Sequence, residues 1–278
     1  LILATLTLPL TADEKPIPRC GTQFPLAERP TIEVAFVLDT TGSMGGLLDG
    51  AKKKIWSIVN RIASAKPSPR VKLALVAYRD KGDAYVTKRT DLTEDIDAVF
   101  ADLMALTAGG GGDHPEHVNQ ALHEAVSRLS WSQAKRTYRV LFLVGDAPPH
   151  EYKDDVDYGV TCEKAVRAGI VINAIRCGGD PLTAKAWKSI ADLSEGKFVS
   201  IDQTGGVQTV STPYDKKLAK LGRRLDGTRL YYGRSELRKN AKLKGGRHRA
   251  VADAAAPEAA ADRAGFMASK ASLSGGRM

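Results

Sequence analysis

The stretch IEVAFVLDTTGS, residues 32–43, decides the fold class of this 278-residue chain. Its first part is almost continuously apolar, which is typical of a β-strand that is buried on both faces of a sheet. A carboxylate, Asp39, ends the strand, and two hydroxyl side chains, Thr41 and Ser43, follow at alternate positions. Ser43 is also a good N-cap for the helix that we predict from about Met44 to Ala65. The stretch therefore predicts a buried strand that leads directly into a helix.

Strands and helices continue to alternate along the chain. The clearest helix is predicted at 118–129, where apolar residues recur with helical spacing. This alternation predicts an α/β protein with a doubly wound, mostly parallel sheet that is covered by helices on both faces. The further strands are predicted at residues 71–78, 85–92, 139–145, 169–175 and 197–201, of which 85–92 is polar enough for an edge.

Two carboxylates stand at the ends of central strands. Asp39 ends the first strand and Asp146 ends the fourth. In a doubly wound sheet, ligands bind beyond the carboxyl ends of the strands, where the strand order reverses. If the order is 3-2-1-4-5-6, Asp39 and Asp146 face one crevice. Oxygen ligands with few negative charges suit a hard cation such as Mg²⁺ better than zinc or copper.

These residues resemble the von Willebrand factor type A (VWA) domain and its metal-ion-dependent adhesion site. That site has Asp-x-Ser-x-Ser after the first strand, a Thr or Asp from a later loop, and an Asp after the fourth strand. Asp39, Thr41 and Ser43 match the first element, with Thr in place of the middle Ser, and Asp146 matches the last. The resemblance covers residues 31–205. It implies a Rossmann-like sheet with one antiparallel edge strand and a bound Mg²⁺, with Mn²⁺ or Ca²⁺ as alternatives.

The remaining metal ligand departs from the family pattern. Members often carry a Thr in the intermediate loop, whereas residues 109–116 of this chain read GGGGDHPE. Asp113 is the candidate ligand, and Glu116 is the alternative. The same residues also fit a capping box, with Asp113 as the N-cap and Glu116 at the third helical position.

The resemblance implies a binding module and not an enzyme. A protein partner that presents an Asp or Glu would complete the coordination of the bound metal. Two other readings stay open: a scaffold with a vestigial site and no metal, and a Mg²⁺-dependent phosphohydrolase of the haloacid-dehalogenase type. The phosphohydrolase is disfavoured because its second aspartate would fall at Thr41. Nucleotide hydrolysis of the P-loop type is unsupported, because residues 109–112 lack the Gly-Lys-Ser/Thr of that loop.

The positive charge is confined to the C-terminal part of the chain. Residues 213–278 contain 16 Lys and Arg against 6 Asp and Glu, so residues 1–212 carry a net charge of −1 out of the total of +9. The main domain therefore lacks the basic surface of a nucleic-acid-binding protein, and we expect no nucleic-acid partner. The sequence does not predict an oligomeric state.

Residues 206–278 are predicted to form a basic helical extension that becomes disordered. A helix is expected at 214–226, with Leu218, Leu221 and Leu225 on one side. The basic segment 234–249 is interpreted as solvated, and the Ala- and Gly-rich residues 250–278 as disordered.

The N-terminus resembles part of a secretory signal. Residues 1–12, LILATLTLPLTA, are apolar and end in small residues, and a Pro-rich linker follows over 13–30. We therefore expect export to the periplasm, the cell surface or the medium; a buried N-terminal strand is the alternative. No later run approaches the roughly 20 apolar residues that span a bilayer, so no membrane span is expected.

The remaining cysteine, histidine, tryptophan and acidic side chains are not assigned to the metal-binding set. Cys162 and Cys177 flank a helix–strand unit, and either a disulfide or two separate thiols fits that placement. A zinc site at His114, His117 and His123 is disfavoured. Trp56 and Trp187 are interpreted as packing residues, and the acidic loop 151–157 as solvated or as a rim of the site.

Overall fold

The computed structural model describes residues 29–112, 114–203 and 211–268. The predicted signal segment 1–12, all but the last two residues of the linker 13–30, and Asp113 lie outside the described residues.

Within the described residues, six strands and six α-helices follow the predicted order, and two further helices follow at the C-terminal end. The strands are β1 (Thr31–Asp39), β2 (Arg70–Tyr78), β3 (Thr87–Thr93), β4 (Thr137–Gly145), β5 (Ile170–Cys177) and β6 (Phe198–Ile201). A 3₁₀ turn spans Gly42–Met44. The helices are α1 (Gly45–Ala63), α2 (Ile96–Ala105), α3 (Val118–Arg128), α4 (Tyr158–Arg167), α5 (Pro181–Leu193), α6 (Asp215–Gly227), α7 (Ser235–Ala254) and α8 (Pro257–Ala268).

The sheet has the order β3-β2-β1-β4-β5-β6. All neighbouring strands are parallel except β3, which pairs antiparallel with β2 at one edge. The fold prediction is therefore confirmed. β1 lies between β2 and β4, and its last residue, Asp39, is in register with Tyr78. The apolar runs of these central strands are explained by helices that cover both faces of the sheet.

The core has one layer on each face of the sheet. Trp56 and Phe100 pack edge to face between α1 and α2 on one side, and Trp187 of α5 lies in the other layer. Both tryptophans are fully buried, as the packing interpretation requires. Cys177 belongs to the first layer and Cys162 to the second, and both are free thiols. Because the sheet separates the two layers, these cysteines do not form a disulfide.

The C-terminal extension is helical, but residues 250–268 are not disordered as expected. Helix α8 packs against α1, with Ala259 in the core and Phe266 at 5.7 Å from the ring of Trp56. Alanine is the best helix former and allows close approach, so an Ala-rich segment folds once it has a partner helix. Residues 269–278 lie outside the described part. No helix in the described ranges is long and apolar enough to cross a membrane.

Candidate metal site

Asp39, at the end of β1, is the centre of the site. It is fully buried, and its Oδ1 accepts hydrogen bonds from the Thr41 amide at 2.8 Å and the Thr41 hydroxyl at 2.7 Å. Its Oδ2 has no hydrogen-bond partner among the described residues. Burial raises the pKa of Asp39 to about 7, although the hydrogen bonds from Thr41 lower it. The charge of the nearby Asp146 raises the pKa further. A buried carboxylate of this kind needs either a proton or a cation.

Thr41 and Ser43 lie in the turn that follows β1. Their hydroxyl oxygens are 3.5 Å apart, and the Ser43 side chain is exposed. The prediction that Ser43 caps α1 is wrong. The 3₁₀ turn comes first, α1 begins at Gly45 after Met44, and neither helix start has a side-chain cap bond. The Ser43 hydroxyl is therefore not engaged in capping and stays next to Thr41.

Asp146 follows β4 on the other side of β1, as the strand order predicted. Gln203 donates from its Nε2 to Asp146 Oδ2 and, at 3.2 Å, to the carbonyl oxygen of Ser43. The hydroxyl of Thr183 donates to the Asp146 carbonyl at 3.0 Å. Gln203 thus joins the loop after β4 to the turn after β1. No sequence pattern indicates this role, because Gln203 follows the distant edge strand β6.

Tyr78 places a hydroxyl among the carboxylates. It ends β2, is fully buried, and its hydroxyl has no hydrogen-bond partner among the described residues. Burial raises the pKa of Tyr78 well above its ordinary value, and the charges of Asp39, Glu116 and Asp146 raise it further. The negative charges of three carboxylates therefore oppose ionisation of the Tyr78 phenol. Sequence reasoning missed Tyr78, although its place at the end of a strand beside β1 was a usable signal.

Gly145 makes room for this arrangement. A Cβ at this position would overlap the Tyr78 hydroxyl and lie 3.2 Å from Asp39 Oδ2 and 3.1 Å from Trp187. Any larger residue at the end of β4 would therefore push against the Tyr78 hydroxyl and Asp39 Oδ2, which have no hydrogen-bond partner among the described residues. The glycine therefore leaves room for the Tyr78 hydroxyl and Asp39 Oδ2 at the end of β4.

Glu116, the alternative third ligand, reaches the site. Its backbone forms a bridge with Pro149, and its carbonyl accepts from the His150 amide at 2.8 Å. A Cβ on Gly111, which has a φ of +76°, would lie 3.0 Å from Glu116 Oε1 and 3.1 Å from Thr41 Cβ. Glu116 is buried, and its Oε1 and the Thr41 Cβ both lie close to Gly111.

The predicted capping box does not include Glu116. Helix α3 begins only at Val118, with His117 as an N-cap that makes no side-chain cap bond, so Glu116 precedes the helix. Asp113, the preferred third ligand, is outside the described residues, and its role stays a prediction.

Two histidines, His117 and His150, contact Asp155, Tyr152 and Asp80. Among the described residues, His114, His117 and His123 do not bring their ring nitrogens close enough to share a metal. His117 pairs with Asp155 at 2.6 Å, and both side chains are buried. His150 stacks on Tyr152, whose hydroxyl donates to Asp80 at 2.7 Å. The acidic loop 151–157 is therefore packed in part against the loops around the site.

Within the described ranges, one group of three His, Cys, Asp or Glu side chains has ligand atoms close enough to share a metal: Asp95, Asp97 and His248. Arg263 and Lys244 already pair with its two carboxylates. It is therefore an ion-pair cluster that holds the C-terminal helices.

The residues around Asp39 fit a hard divalent cation. Every donor is an oxygen, from the carboxylates of Asp39, Asp146 and Glu116 and the hydroxyls of Thr41 and Ser43. Such a donor set suits Mg²⁺, Mn²⁺ or Ca²⁺. The buried Asp39 Oδ2, which has no hydrogen-bond partner among the described residues, is where a cation would relieve the cost of desolvation.

The chain is similar in sequence to known proteins that contain a von Willebrand factor A domain. The mouse von Willebrand factor A domain-containing protein 7 is 37% identical over 181 residues, which cover 61% of this chain and 19% of the mouse protein. An ariadne-like RING finger protein of Acanthamoeba polyphaga mimivirus is 28% identical over 119 residues, 43% of this chain and 11% of its own length. The chain thus spans a fifth or less of these relatives.

The crystal structure of the SpRpn10 VWA domain is also similar, with a TM-score of 0.48 and 14% identity, covering 64% of this chain and 91% of that one. Residues 33–203 match the sequence model of the von Willebrand factor A domain. Because this match covers more than half of the chain, the protein belongs to the von Willebrand factor A domain family.

Proposed function

We propose that the chain is a divalent-metal-dependent protein-binding module. The observation that carries the proposal is the Asp39 carboxylate: it is fully buried, and Oδ2 has no hydrogen-bond partner among the described residues, while only oxygen donors surround it. A site that held no metal would leave this oxygen with an uncompensated cost of burial wherever Asp39 is ionised. Family membership makes a binding role the first candidate.

Asp39, Thr41 and Ser43 would hold the metal, with Asp146 beside them and Asp113 or Glu116 from the loop before α3. Mg²⁺ is the preferred ion, because it takes oxygen ligands and keeps part of its coordination for water or another ligand. When bound, it would supply a strong attraction for a further carboxylate. The position of Glu116 beside Thr41 supports Glu116 as part of this set.

The partner would be a protein that presents an Asp or Glu side chain to the metal. We propose binding and not catalysis, because the position two residues after Asp39 holds Thr41, where a phosphohydrolase of this type needs a second carboxylate. An exported location belongs to the proposal as well and rests on the sequence of residues 1–12.

Calorimetric titration of Mg²⁺ and Mn²⁺ tests the metal site directly. The full chain should bind one ion saturably, and Asp39→Asn should abolish binding. Glu116→Gln and Asp113→Asn separate the two candidates for the third ligand, because only the ligand variant should weaken affinity by about tenfold or more. Asp192→Asn, at an exposed position near the C-terminal end of α5, is a matched control that should bind like the unchanged chain.

The binding role is tested with immobilised protein and acidic peptides. Capture of a peptide with a central Asp or Glu should need Mg²⁺ and be lost in chelator and in Asp39→Asn. No saturable metal binding by the unchanged chain would contradict the proposal and favour a scaffold with a vestigial site. Metal binding without any capture of carboxylate ligands would contradict the binding role alone.

A further inference from the structure

Helix α6 has two parallel stripes of residues, and the apolar one faces outward. The buried stripe consists of small and acidic residues: Asp215, Ala219, Gly222 and Asp226. The exposed stripe has the same spacing and begins one residue earlier. It consists of Tyr214 (68% exposed), Leu218 (43%), Leu221 (46%) and Leu225 (43%), and is called the leucine stripe below.

The contacts of the buried stripe fix this orientation. A Cβ on Gly222 would lie 2.7 Å from the Cβ of Ala264, so α6 and α8 approach closely at this glycine. Asp226 accepts from Arg263 of α8 at 2.7 Å. Rotating α6 to bury its leucines would break this buried ion pair. The leucine stripe therefore stays exposed in the folded chain, and an ordered row of exposed apolar side chains marks an interaction surface.

The charge around the leucine stripe has one sign. The two acidic residues of α6 are both buried, and its outward charged side chains are all basic: Lys216, Lys217, Lys220, Arg223 and Arg224. Residues 213–254 contain thirteen Lys and Arg against four Asp and Glu, whereas residues 1–212 have a net charge of −1. The surface that surrounds the leucines therefore attracts anions.

The connection from α6 to α7 extends this surface with two more apolar side chains. Leu230 is 87% exposed and Tyr232 is 81% exposed. Leucines on one side of a helix, basic residues beside them and a tyrosine at the end are typical of a helix that lies in the head-group region of a membrane.

We propose that α6 and the α6–α7 connection dock onto an anionic lipid surface, with the leucine stripe among the head groups and the basic side chains on the phosphates. A second copy of the chain fits less well, because a symmetric contact would place two basic surfaces opposite each other. A partner helix would need a groove, whereas these leucines lie on the outward side of one helix. Segments 204–210 and 269–278 contain no Asp or Glu, so they do not supply the complementary charge.

Co-sedimentation of the full chain with lipid vesicles tests the proposal. Vesicles of phosphatidylcholine with phosphatidylglycerol should bind at least about tenfold more protein than vesicles of phosphatidylcholine alone, and about 0.5 M salt should reverse most of this binding. Leu218→Gln/Leu221→Gln/Leu225→Gln should weaken binding at least about tenfold. Lys217→Gln/Lys220→Gln/Arg224→Gln should remove most of the preference for anionic lipid.

The controls distinguish binding through this surface from non-specific adsorption by exposed apolar residues. Val160→Gln/Leu182→Gln replaces two apolar residues on α4 and α5 that are more exposed than the leucines, at 60% and 63%, and should bind like the unchanged chain. All these positions are exposed, so the variants should fold, which circular dichroism checks. Equal binding to both vesicle types, no binding at all, or full binding by the leucine variant would overturn the proposal. In the last case another segment, such as residues 1–12, would be the lipid-binding part.

Discussion

Arg263 of α8 and Asp97 of α2 form a buried ion pair, although 166 residues separate them in the sequence. Arg263 Nε donates to Asp97 Oδ1 at 2.6 Å and Nη2 to Oδ2 at 3.0 Å, while Nη1 donates to Asp226 of α6 at 2.7 Å. His248 of α7 lies between Asp95 and Asp97, at 2.9 and 3.0 Å. One cluster therefore fastens all three C-terminal helices to the start of α2.

Replacing Arg263 by Met should destabilise the protein by about 3–5 kcal/mol. The reason is that Asp97 and Asp226, whose side chains are 1% and 6% exposed, would lose their buried cation. Urea unfolding at neutral pH measures the change. Arg167→Met is the matched control, because Arg167 is 78% exposed and pairs only with Glu163 one turn earlier. That variant should lose less than about 0.5 kcal/mol, and an equal loss in the two variants would contradict a structural role for the cluster.

The contribution of His248 to stability should decrease as the pH rises. Burial lowers the pKa of His248, but the hydrogen bonds and charges of Asp95 and Asp97 outweigh burial and raise it above its ordinary value. The folded state therefore holds the proton more tightly than the unfolded state. This stabilisation is complete below about pH 6.5 and is lost as the pH rises through the raised value in the folded state.

Comparison with His248→Gln isolates this effect. The difference in unfolding free energy between the unchanged chain and His248→Gln should be largest near pH 6 and shrink steadily toward pH 9. The His114→Gln variant replaces a histidine that is 57% exposed and serves as the control substitution. A difference that stays constant from pH 6 to pH 9 would show that His248 acts without its charge.

Asp39→Asn should stabilise the metal-free protein at pH 8. The pKa of Asp39 is raised from 3.8 to about 7, chiefly by burial, so the unfolded state loses this proton at lower pH than the folded state. The stability of the unchanged chain should therefore fall between about pH 4 and pH 7, and the amide variant escapes that loss. We expect the variant to be more stable at pH 8 by roughly 2–4 kcal/mol, measured by urea unfolding in chelator.

Added Mg²⁺ should make the unchanged chain more stable than Asp39→Asn at pH 8. An ion that binds the folded state alone stabilises it by RT ln(1 + [Mg²⁺]/Kd), so the unchanged chain should gain stability and Asp39→Asn should not. The affinity for Mg²⁺ should also be weaker at pH 6 than at pH 8, because below about pH 7 the ion must displace a proton from Asp39. An Asp39→Asn variant that is less stable than the unchanged chain in chelator would contradict this account.

Sequence patterns were sufficient for the sheet and for the positions of the candidate ligands that follow β1 and β4. A continuous apolar run indicates a buried strand, and the carboxyl ends of parallel strands meet at one edge of the sheet. The positions of Asp39 and Asp146 at the ends of their strands therefore predicted that they lie at the same edge. The residues that complete the site come from contacts between distant segments. Gln203 joins Asp146 to the turn after β1 from beyond β6, and no local pattern marks such a residue.

The C-terminal helices show a different limit of sequence reasoning. Composition suggested disorder after residue 250, because an Ala-rich segment has little apolar surface of its own. Its order depends on one buried arginine and on close contact at Gly222, and both depend on partners far away in the sequence. The leucines of α6 were correctly placed on one side of a helix, but whether that side is buried depends on the tertiary fold.

Gly145→Ala should weaken metal binding and destabilise the fold together. The added methyl would overlap the Tyr78 hydroxyl and press on Asp39 Oδ2 and Trp187, all in a buried crevice with no space to relax. We expect a loss of about 1–3 kcal/mol in urea unfolding and a clear fall in Mg²⁺ affinity by calorimetry. Gly179→Ala, after β5, is the control, because a Cβ there meets nothing within 4 Å. Unchanged Mg²⁺ affinity in a folded Gly145→Ala protein would show that the ion does not bind between β1 and β4.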